Sequence, residues 1–566
     1  MKGFERREWV WVVTAAGLLI VASTVPYLAG YLAQVPDLRF SGALLDRSDY
    51  HSHLAKMWQG YRGQWRYRLL FTPEEHRGVY LQTFYVALGH LARWLGWRLP
   101  LTYQVARVIC SFLMLLAVYH FIALFVRPVL TRRVAFLLAT TASGLGWFTE
   151  IVAPTLPGGV SPMDFWLLDG FTYLAMLTSP HFCAAIGLLL AIFLLIVRRP
   201  EGPSLVEGTG AVLASLVLGL IHPYMLLLAD LLPVLYWVVD GVCTRRVAWR
   251  GLVTVAAMGM AQLFLVFYDL WVFRTQQAFV GWSAQNVTLS PPPRIYLLGY
   301  GLLLMLAIIG VVAQARRQGA WVLSFPLLWI GLVIVLAYLP WNLQRRFLEG
   351  VQVPLGLLAG KGLVEGLFPK IRWQGQARWQ SGTQVAMLAV AAMSNLYLTA
   401  GLTVAAVARA SALFWPVELV TGVDWLGTHT SWEETVLAGL ETGNLICGRI
   451  GHRVVLGHWM ETVNYDAKKD EVMHFFATST SDEDRLALLR KWKVEWVFYG
   501  PGERGIGDFD PSEASYLEPT FQQGDVMVYE VIWEGGRKPN AARPAGVISP
   551  SLDCAAVGLV GITDDD

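Results

Sequence analysis

Apolar runs of about twenty residues recur along the chain between short polar stretches, the length a helix needs to cross a bilayer. Spans are expected near 9–32, 102–126, 133–150, 181–198, 209–222, 224–240, 251–272, 295–315, 321–340, 351–368 and 382–411, about eleven in all. The first follows Lys2, Arg6 and Arg7, is too long for a signal peptide and has no small-residue cleavage site. It therefore reads as an uncleaved anchor with a cytoplasmic N-terminus. From that start every second loop should be rich in Lys and Arg. Arg127, Arg132 and Arg133; Arg198 and Arg199; Arg245, Arg246 and Arg250; Arg316 and Arg317; and Lys370, Arg372 and Arg378 all fall in such loops. The moderately apolar stretch 79–96 would invert every later loop if it crossed alone, so it reads as an amphipathic helix lying in the interface. One more hidden pair would raise the count to thirteen.

An odd count places residues 412–566 outside, and there the pattern changes. ETVLAGL, RVVLGH, VEWVFYG and VMVYEVIW read as strands, with polar helical stretches between them, so 412–533 is expected to be a soluble α/β domain after a transmembrane domain over 1–411. Ser481 and Asp484 form a capping box before DRLALLRKW, and 464–476 has apolar residues at helical spacing. The Pro-, Gly- and Ala-rich tail, 534–566, is expected to be poorly ordered. No internal repeat is visible, nor the inverted half-to-half symmetry of many transporters.

Composition agrees with the pattern. Of 566 residues 55% are apolar and only 15% charged, with a mean hydropathy of +0.46, which marks a polytopic membrane protein rather than a string of soluble domains. Lys and Arg number 44 against 42 acidic residues, so no basic excess points to nucleic acid. The five cysteines, at 110, 183, 243, 447 and 554, form neither a CxxC pair nor a thiol metal cluster.

Polar chemistry concentrates in the large outer loop 33–101. If 46–60 is helical, Asp46, Asp49 and His53 share one face just above the membrane, where a carboxylate can take a proton from an acceptor hydroxyl. Equally, Asp46 can simply cap this helix while Asp49 pairs with Arg47 or Lys56. Asp49, His51 and His53 would converge on a zinc ion only from a strand. Lys56, Arg62, Arg66 and Arg68, interleaved with Trp58, Tyr61, Trp65 and Tyr67, suit either a phosphate or a plain aromatic belt with snorkelling cations. Glu74, Glu75 and His76 follow the turn at Pro73 and are either site residues or solvated loop charges.

The second outer loop, 151–180, brings Asp164 and Asp169 beside the membrane. Asp164 can cap the helix DFWLL, which leaves Asp169 the better functional candidate. His181 and His222 mark the outer ends of spans and read as structural caps. Arg345 and Arg346 stand on the outer side against the positive-inside rule, which an anionic lipid phosphate would explain and which pairing with Glu349 would explain more plainly. The sequon Asn286-Val-Thr288 matters only in a cell that glycosylates it.

An N-terminal anchor, a first outer loop with LLDRSDYHSHLAKMWQG, a second acidic outer loop and many spans before an outer domain together resemble the GT-C glycosyltransferase superfamily. More narrowly, DYHSHLAKM, FTPEEH, SGLGW, TSPHF, IHPY, QRRFLEG and GRIGHRVVLGHWMETVNYDAKKDEVMHFF resemble uncharacterised bacterial members related to polyprenyl-phosphate-sugar-dependent protein mannosyltransferases and aminoarabinose transferases, over nearly the whole chain. The resemblance implies a bacterial inner-membrane enzyme that takes a sugar from a polyprenyl-phosphate co-substrate, inverting the anomeric centre, and passes it to a glycan, lipid or protein. It places the base at Asp49, with Asp46 second, although Arg47 and Ser48 separate the two acids where some relatives have an adjacent pair. Asp169, Asp164, His53, Glu75 and His76 are then expected to orient or bind the acceptor, and Arg345, Arg346, Lys56, Arg66 and Arg68 to hold the donor phosphate. A phosphate already on a polyprenyl chain does not require a metal. Two other classes compete: a transporter or flippase, which would put ionisable residues at span centres as only Arg107 and Asp230 do, and a non-enzymatic envelope assembly protein.

Overall fold

In the computed structural model, residues 5–152, 162–318, 324–370 and 377–533 are described. The tail 534–566 and the loop cation Arg372 lie outside the described residues, as do the side chains of Arg317, Lys370 and Arg378. The chain is a multi-pass helical membrane protein with a C-terminal α/β region. Among the described residues, seven helices are long and apolar enough to cross a bilayer, or nine if each of two bent pairs, Val129–Thr141 with Gly146–Val152 and Gly382–Ala391 with Met393–Val407, forms one span. Leu205–Ile221 and Ser324–Leu336 are shorter apolar helices, so every apolar stretch of the sequence falls on a helix.

The first helix, α1 (Arg6–Leu32), ends in the loop that carries α2 (Arg47–Tyr61) and α3 (Thr83–Leu95), the latter formed by the amphipathic stretch. These two cross closely through glycines. A Cβ on Gly60 would lie 1.9 Å from the Val86 carbonyl oxygen, and one on Gly89 2.0 Å from that of Met57. Two ionisable groups inside the bundle, Arg107 and Asp230, have partners. Arg107 donates to Gln104, Ser23, Thr24 and the Met176 carbonyl at 2.8–3.2 Å and stacks on Tyr27, which ties helix Leu99–Phe125 to α1. Asp230 accepts from Gln262 at 3.3 Å. This cross-linking accounts for Arg107 without a transport path.

Strand β1 (Leu38–Phe40), just after α1, pairs antiparallel with β2 (Phe414–Pro416), just after the last apolar helix. Beyond β2 come β3 (Thr435–Leu437), β4 (Arg453–Val454), β5 (Val494–Tyr499), β6 (Leu517–Gln523) and β7 (Val526–Val531), in spatial order β4-β3-β5-β7-β6. The first three are parallel and the last two antiparallel. The four strands expected from the pattern are present and β6 is an addition. Its sequence LEPTFQQ shows mostly exposed residues and a Pro, the composition of an edge strand. Both sheet faces are covered, as period-two alternation shows. Val436, Trp496, Phe498, Val526 and Val528 pack with Ala55 of α2 and with Leu70 and Phe71 of the loop, whereas Leu437, Val497 and Tyr529 pack against the helices Tyr465–Phe476 and Asp482–Lys491. Ser481 accepts from the Asp484 N–H at 3.2 Å, as a cap should.

Candidate active site

The loop from Ser41 to Asp46 delivers α2 into a cleft between the helical bundle and the C-terminal region. Asp46 caps α2, its Oδ1 accepting the Asp49 backbone N–H at 3.1 Å, and does so at φ 38°, a left-handed conformation that Asp tolerates better than most residues. One turn in, Asp49 and His53 face the same cleft, which Tyr50, Tyr103, Leu168 and Ser179 also line. The expected shared face of Asp46, Asp49 and His53 is therefore present.

Asp49 pairs with neither Arg47 nor Lys56. Arg47 reaches Glu441 at 3.2 Å and stacks on Trp415, and Lys56 is taken by Glu461. The partner of Asp49 is His458, from the loop after β4, with Nε2 2.8 Å from Oδ1. The Asp49 side chain keeps 45% of its surface exposed. Its partial burial would raise its pKa, but the His458 hydrogen bond, with the Arg346 charge, holds it well below the usual carboxylate range. It is ionised wherever the protein is folded near neutrality. His53 is neutral: burial, then the Lys56 charge, lower its pKa to about 3. Its ring stacks on Tyr85 at 4.1 Å, and its Nδ1 has no protein partner.

Within electrostatic reach of Asp49 lies the second group. Arg346 donates to Asp169 Oδ1 at 3.1 Å and Arg345 approaches Oδ2 at 4.0 Å; the arginines are about a quarter exposed and Asp169 is buried. Arg345 lies over the Trp166 ring and Arg346 over that of Phe182. Arg345 Nε–H has no hydrogen-bond acceptor. The plainer partner expected for the arginines, Glu349, turns elsewhere. It is fully buried, accepting from the Tyr224 hydroxyl at 2.9 Å and lying 2.8 Å from His222 Nδ1. The short 3-10 turn Gln344–Leu348 separates the directions of Arg346 and Glu349, so sequence proximity misleads here.

The remaining expected site residues have other partners. Asp164 does not cap DFWLL: its Oδ2 accepts the N–H groups of Gly144 and Gly146 at 2.9 and 3.1 Å, bracing the bend between Val129–Thr141 and Gly146–Val152. Lys56 is buried and bonded to Glu461 and Ser52, each at 2.6 Å, in place of the expected phosphate contact. Arg66 stacks over Tyr80 and Arg68 lies 3.7 Å from Glu433. Glu75 meets Lys493 at 2.6 Å in solvent. His76 Nδ1 lies 2.7 Å from the Glu74 carbonyl and its Nε2 accepts the Leu69 N–H, so it shapes the loop. His51 turns away toward Trp415 while His53 stacks on Tyr85, and among the described residues no group of three ligand-type side chains converges on a metal position.

The structure thus lines one pocket with Asp46, Asp49 and His53 and sets Arg345 and Arg346, paired with Asp169, within electrostatic reach of Asp49. His458 and Glu461 were missed. Their only signal was the segment LGHWMETVNYD, which the resemblance covered without assigning a residue.

Comparison with known proteins bears on the fold. No family model and no curated protein sequence matches the chain. Among solved structures, the apo form of the oligosaccharyltransferase of Archaeoglobus fulgidus is similar at a TM-score of 0.55 and 12% identity, over 92% of this chain and 74% of its own. The arabinofuranosyltransferase AftD from Mycobacteria is similar at 0.51 and 14% identity, over 94% of this chain but 40% of its own length. ArnT from Cupriavidus metallidurans bound to undecaprenyl phosphate gives 0.49 and 14%, over 93% and 98%. The chain has the GT-C fold.

Proposed function

We propose that the protein is a membrane glycosyltransferase that moves a sugar from a polyprenyl-phosphate donor to an acceptor hydroxyl at the outer face of a bacterial inner membrane, with Asp49 as general base. The observation that carries this reading is an ionised, half-exposed carboxylate with two adjacent arginines within its electrostatic reach. One Asp49 oxygen is engaged by His458, which leaves the other for the acceptor. The acceptor oxygen attacks the anomeric carbon from the face opposite the phosphate, its proton passes to Asp49, and the carbon–oxygen bond to phosphate breaks. Direct displacement inverts that centre. Polyprenyl phosphate leaves as an anion toward Arg345 and Arg346, whose planar guanidinium groups match phosphate oxygens. Asp169 orients the pair, and Asp46 fixes the start of α2. The Lys and Arg alternation supports a cytoplasmic N-terminus and an outer C-terminal domain. Full-length protein in lipid nanodiscs supplied with a panel of labelled undecaprenyl-phosphate sugars should transfer label, and Asp49→Asn should not. Transfer by Asp49→Asn at the wild-type rate would overturn the reading.

A further inference from the structure

His458 lies 409 positions from Asp49, in the loop between β4 and the helix Tyr465–Phe476, and it is fixed on every side. Its Nε2 meets Asp49 Oδ1 at 2.8 Å, the Met460 backbone N–H points at its Nδ1 at 3.2 Å, and Phe71 packs edge-on against the ring at 5.9 Å. A donor at Nδ1 requires a lone pair there, so the proton sits on Nε2 and is donated to the carboxylate. The loop that carries His458 is clamped to α2. Three residues on, Glu461 accepts from Lys56, Ser52 and Tyr67, each at 2.6 Å, in a place closed to solvent. Farther along α2, Trp58 and Arg62 donate to the carbonyls of Gly448, Ile450 and Gly451 at 2.7–3.1 Å. These bonds run between the C-terminal region and either the helix that bears Asp49 or the residues just after it.

We propose that His458 is the positioning residue of the reaction centre, holding Asp49 in place through Nε2–H, so that the catalytic carboxylate is complete only while the C-terminal region is docked on α2. The C-terminal region is then a working part of the centre. This rests on the reading of Asp49 as the base. The charged and titratable groups around His458 are Asp49, Glu461, Lys56, Asp46 and His53. For Asp49 itself, partial burial opposes ionisation, and the nearby Asp46 carboxylate adds repulsion. Donation from His458 is the principal influence on the other side. Loss of the imidazole should therefore let Asp49 take a proton at higher pH.

Dicyclohexylcarbodiimide reports this without any sugar substrate. It reacts with a protonated carboxyl, whose O–H adds across one N=C bond to give an O-acylisourea that rearranges to a stable N-acylurea. Tandem mass spectrometry of the full chain in nanodiscs distinguishes adducts at Asp49 and Asp46. His458→Phe keeps a flat ring without a donor, and His458→Asn is too short to reach Asp49. Each should raise the Asp49 adduct at pH 6 about tenfold, the change in protonated fraction for a shift of one pH unit. His458→Gln, which can still donate, should fall back toward wild type. With labelled undecaprenyl-phosphate sugars as donors, the Phe variant should lose kcat and keep donor KM, a split that general loosening of the fold would not give. Wild-type adduct yield in whichever of the Phe and Asn variants folds would overturn the proposal. Wild-type sugar transfer by Asp49→Asn would instead overturn the reading of the base and leave the labelling result standing.

Discussion

Glu461→Gln tests whether the clamp between α2 and the C-terminal region is the main fastening of the two. Glu461 and Lys56 are each 4% exposed, and the carboxylate accepts three bonds at 2.6 Å. Substituting an amide removes the charge and turns one of the two acceptor oxygens into a donor, so the Lys56 ion pair is lost together with the bond from either Ser52 or Tyr67. An uncompensated buried charge costs about 3–5 kcal/mol. The titration of Glu461 gives a similar figure. Burial would raise its pKa, but the charge of Lys56 and the bonds from Lys56 and Ser52 lower it from 4.5 to about 2. That displacement is worth about 3 kcal/mol. Because the folded pKa is depressed, this stability is present above pH 4.5 and is lost as pH falls toward 2. Thermal unfolding in nanodiscs, followed by near-ultraviolet circular dichroism, should place the Glu461→Gln transition of the C-terminal region roughly 10–20 °C below wild type at neutral pH. The gap should narrow on acidification. Lys56→Met combined with Glu461→Gln should recover most of the loss, since no isolated charge remains. If the single variant melted with wild type, or if the double variant were no better than the single, the clamp would not be the fastening described.

Asp49→Asn should lose about 100-fold or more in transfer rate, as removal of a general base does, whereas Asp46→Asn, which keeps a good capping side chain, should lose far less; the reverse order would move the base to Asp46. Arg346→Ala should raise the apparent KM for the donor, with Arg346→Lys recovering only part, because an ammonium cannot match a phosphate with two parallel bonds; an unchanged KM in both would remove the arginines from the donor site. Gly60→Ala should prevent the close crossing of α2 and α3, lowering the melting temperature and cutting activity together, as overpacking by about 1–3 kcal/mol or more does; a variant as stable as wild type would show that the helices can separate. Alkaline phosphatase fused at about residue 420 should be active and at about residue 375 inactive, and the opposite pattern would invert the topology.

The sequence was legible wherever structure is decided by short-range pattern. Twenty-residue apolar runs became helices, alternating runs became strands, and Asp46 capped the helix its position announced. The polar partnerships were not legible, because they are made in space. Nothing near Lys56 says that Glu461 will claim it before a phosphate can, and nothing near Asp49 names His458, since both partners arrive from a region more than 400 residues later. Local reasoning also misdirected where a tempting partner stood close by. Glu349, three residues after Arg346, turned to His222, and Asp164, at the start of an expected helix, bound the amides of Gly144 and Gly146 instead. Edge strand β6 escaped because LEPTFQQ presents no buried face to read.

The β1–β2 ribbon bears on how the protein is made. Phe40 pairs with Phe414, 374 positions later, so the ribbon cannot close until the whole bundle between them has been synthesised. At about 5–20 residues per second, roughly 20–75 s separate the emergence of the two strands from the ribosome. Throughout that interval α2 waits without the loop that will cover it, exposing Lys56, His51 and Trp58 to whatever else is at the membrane surface. The nascent first loop is thus a substrate for chaperones and proteases before it is part of an enzyme. Truncation anywhere before residue 414 should yield a chain that inserts normally and is then degraded from its loop.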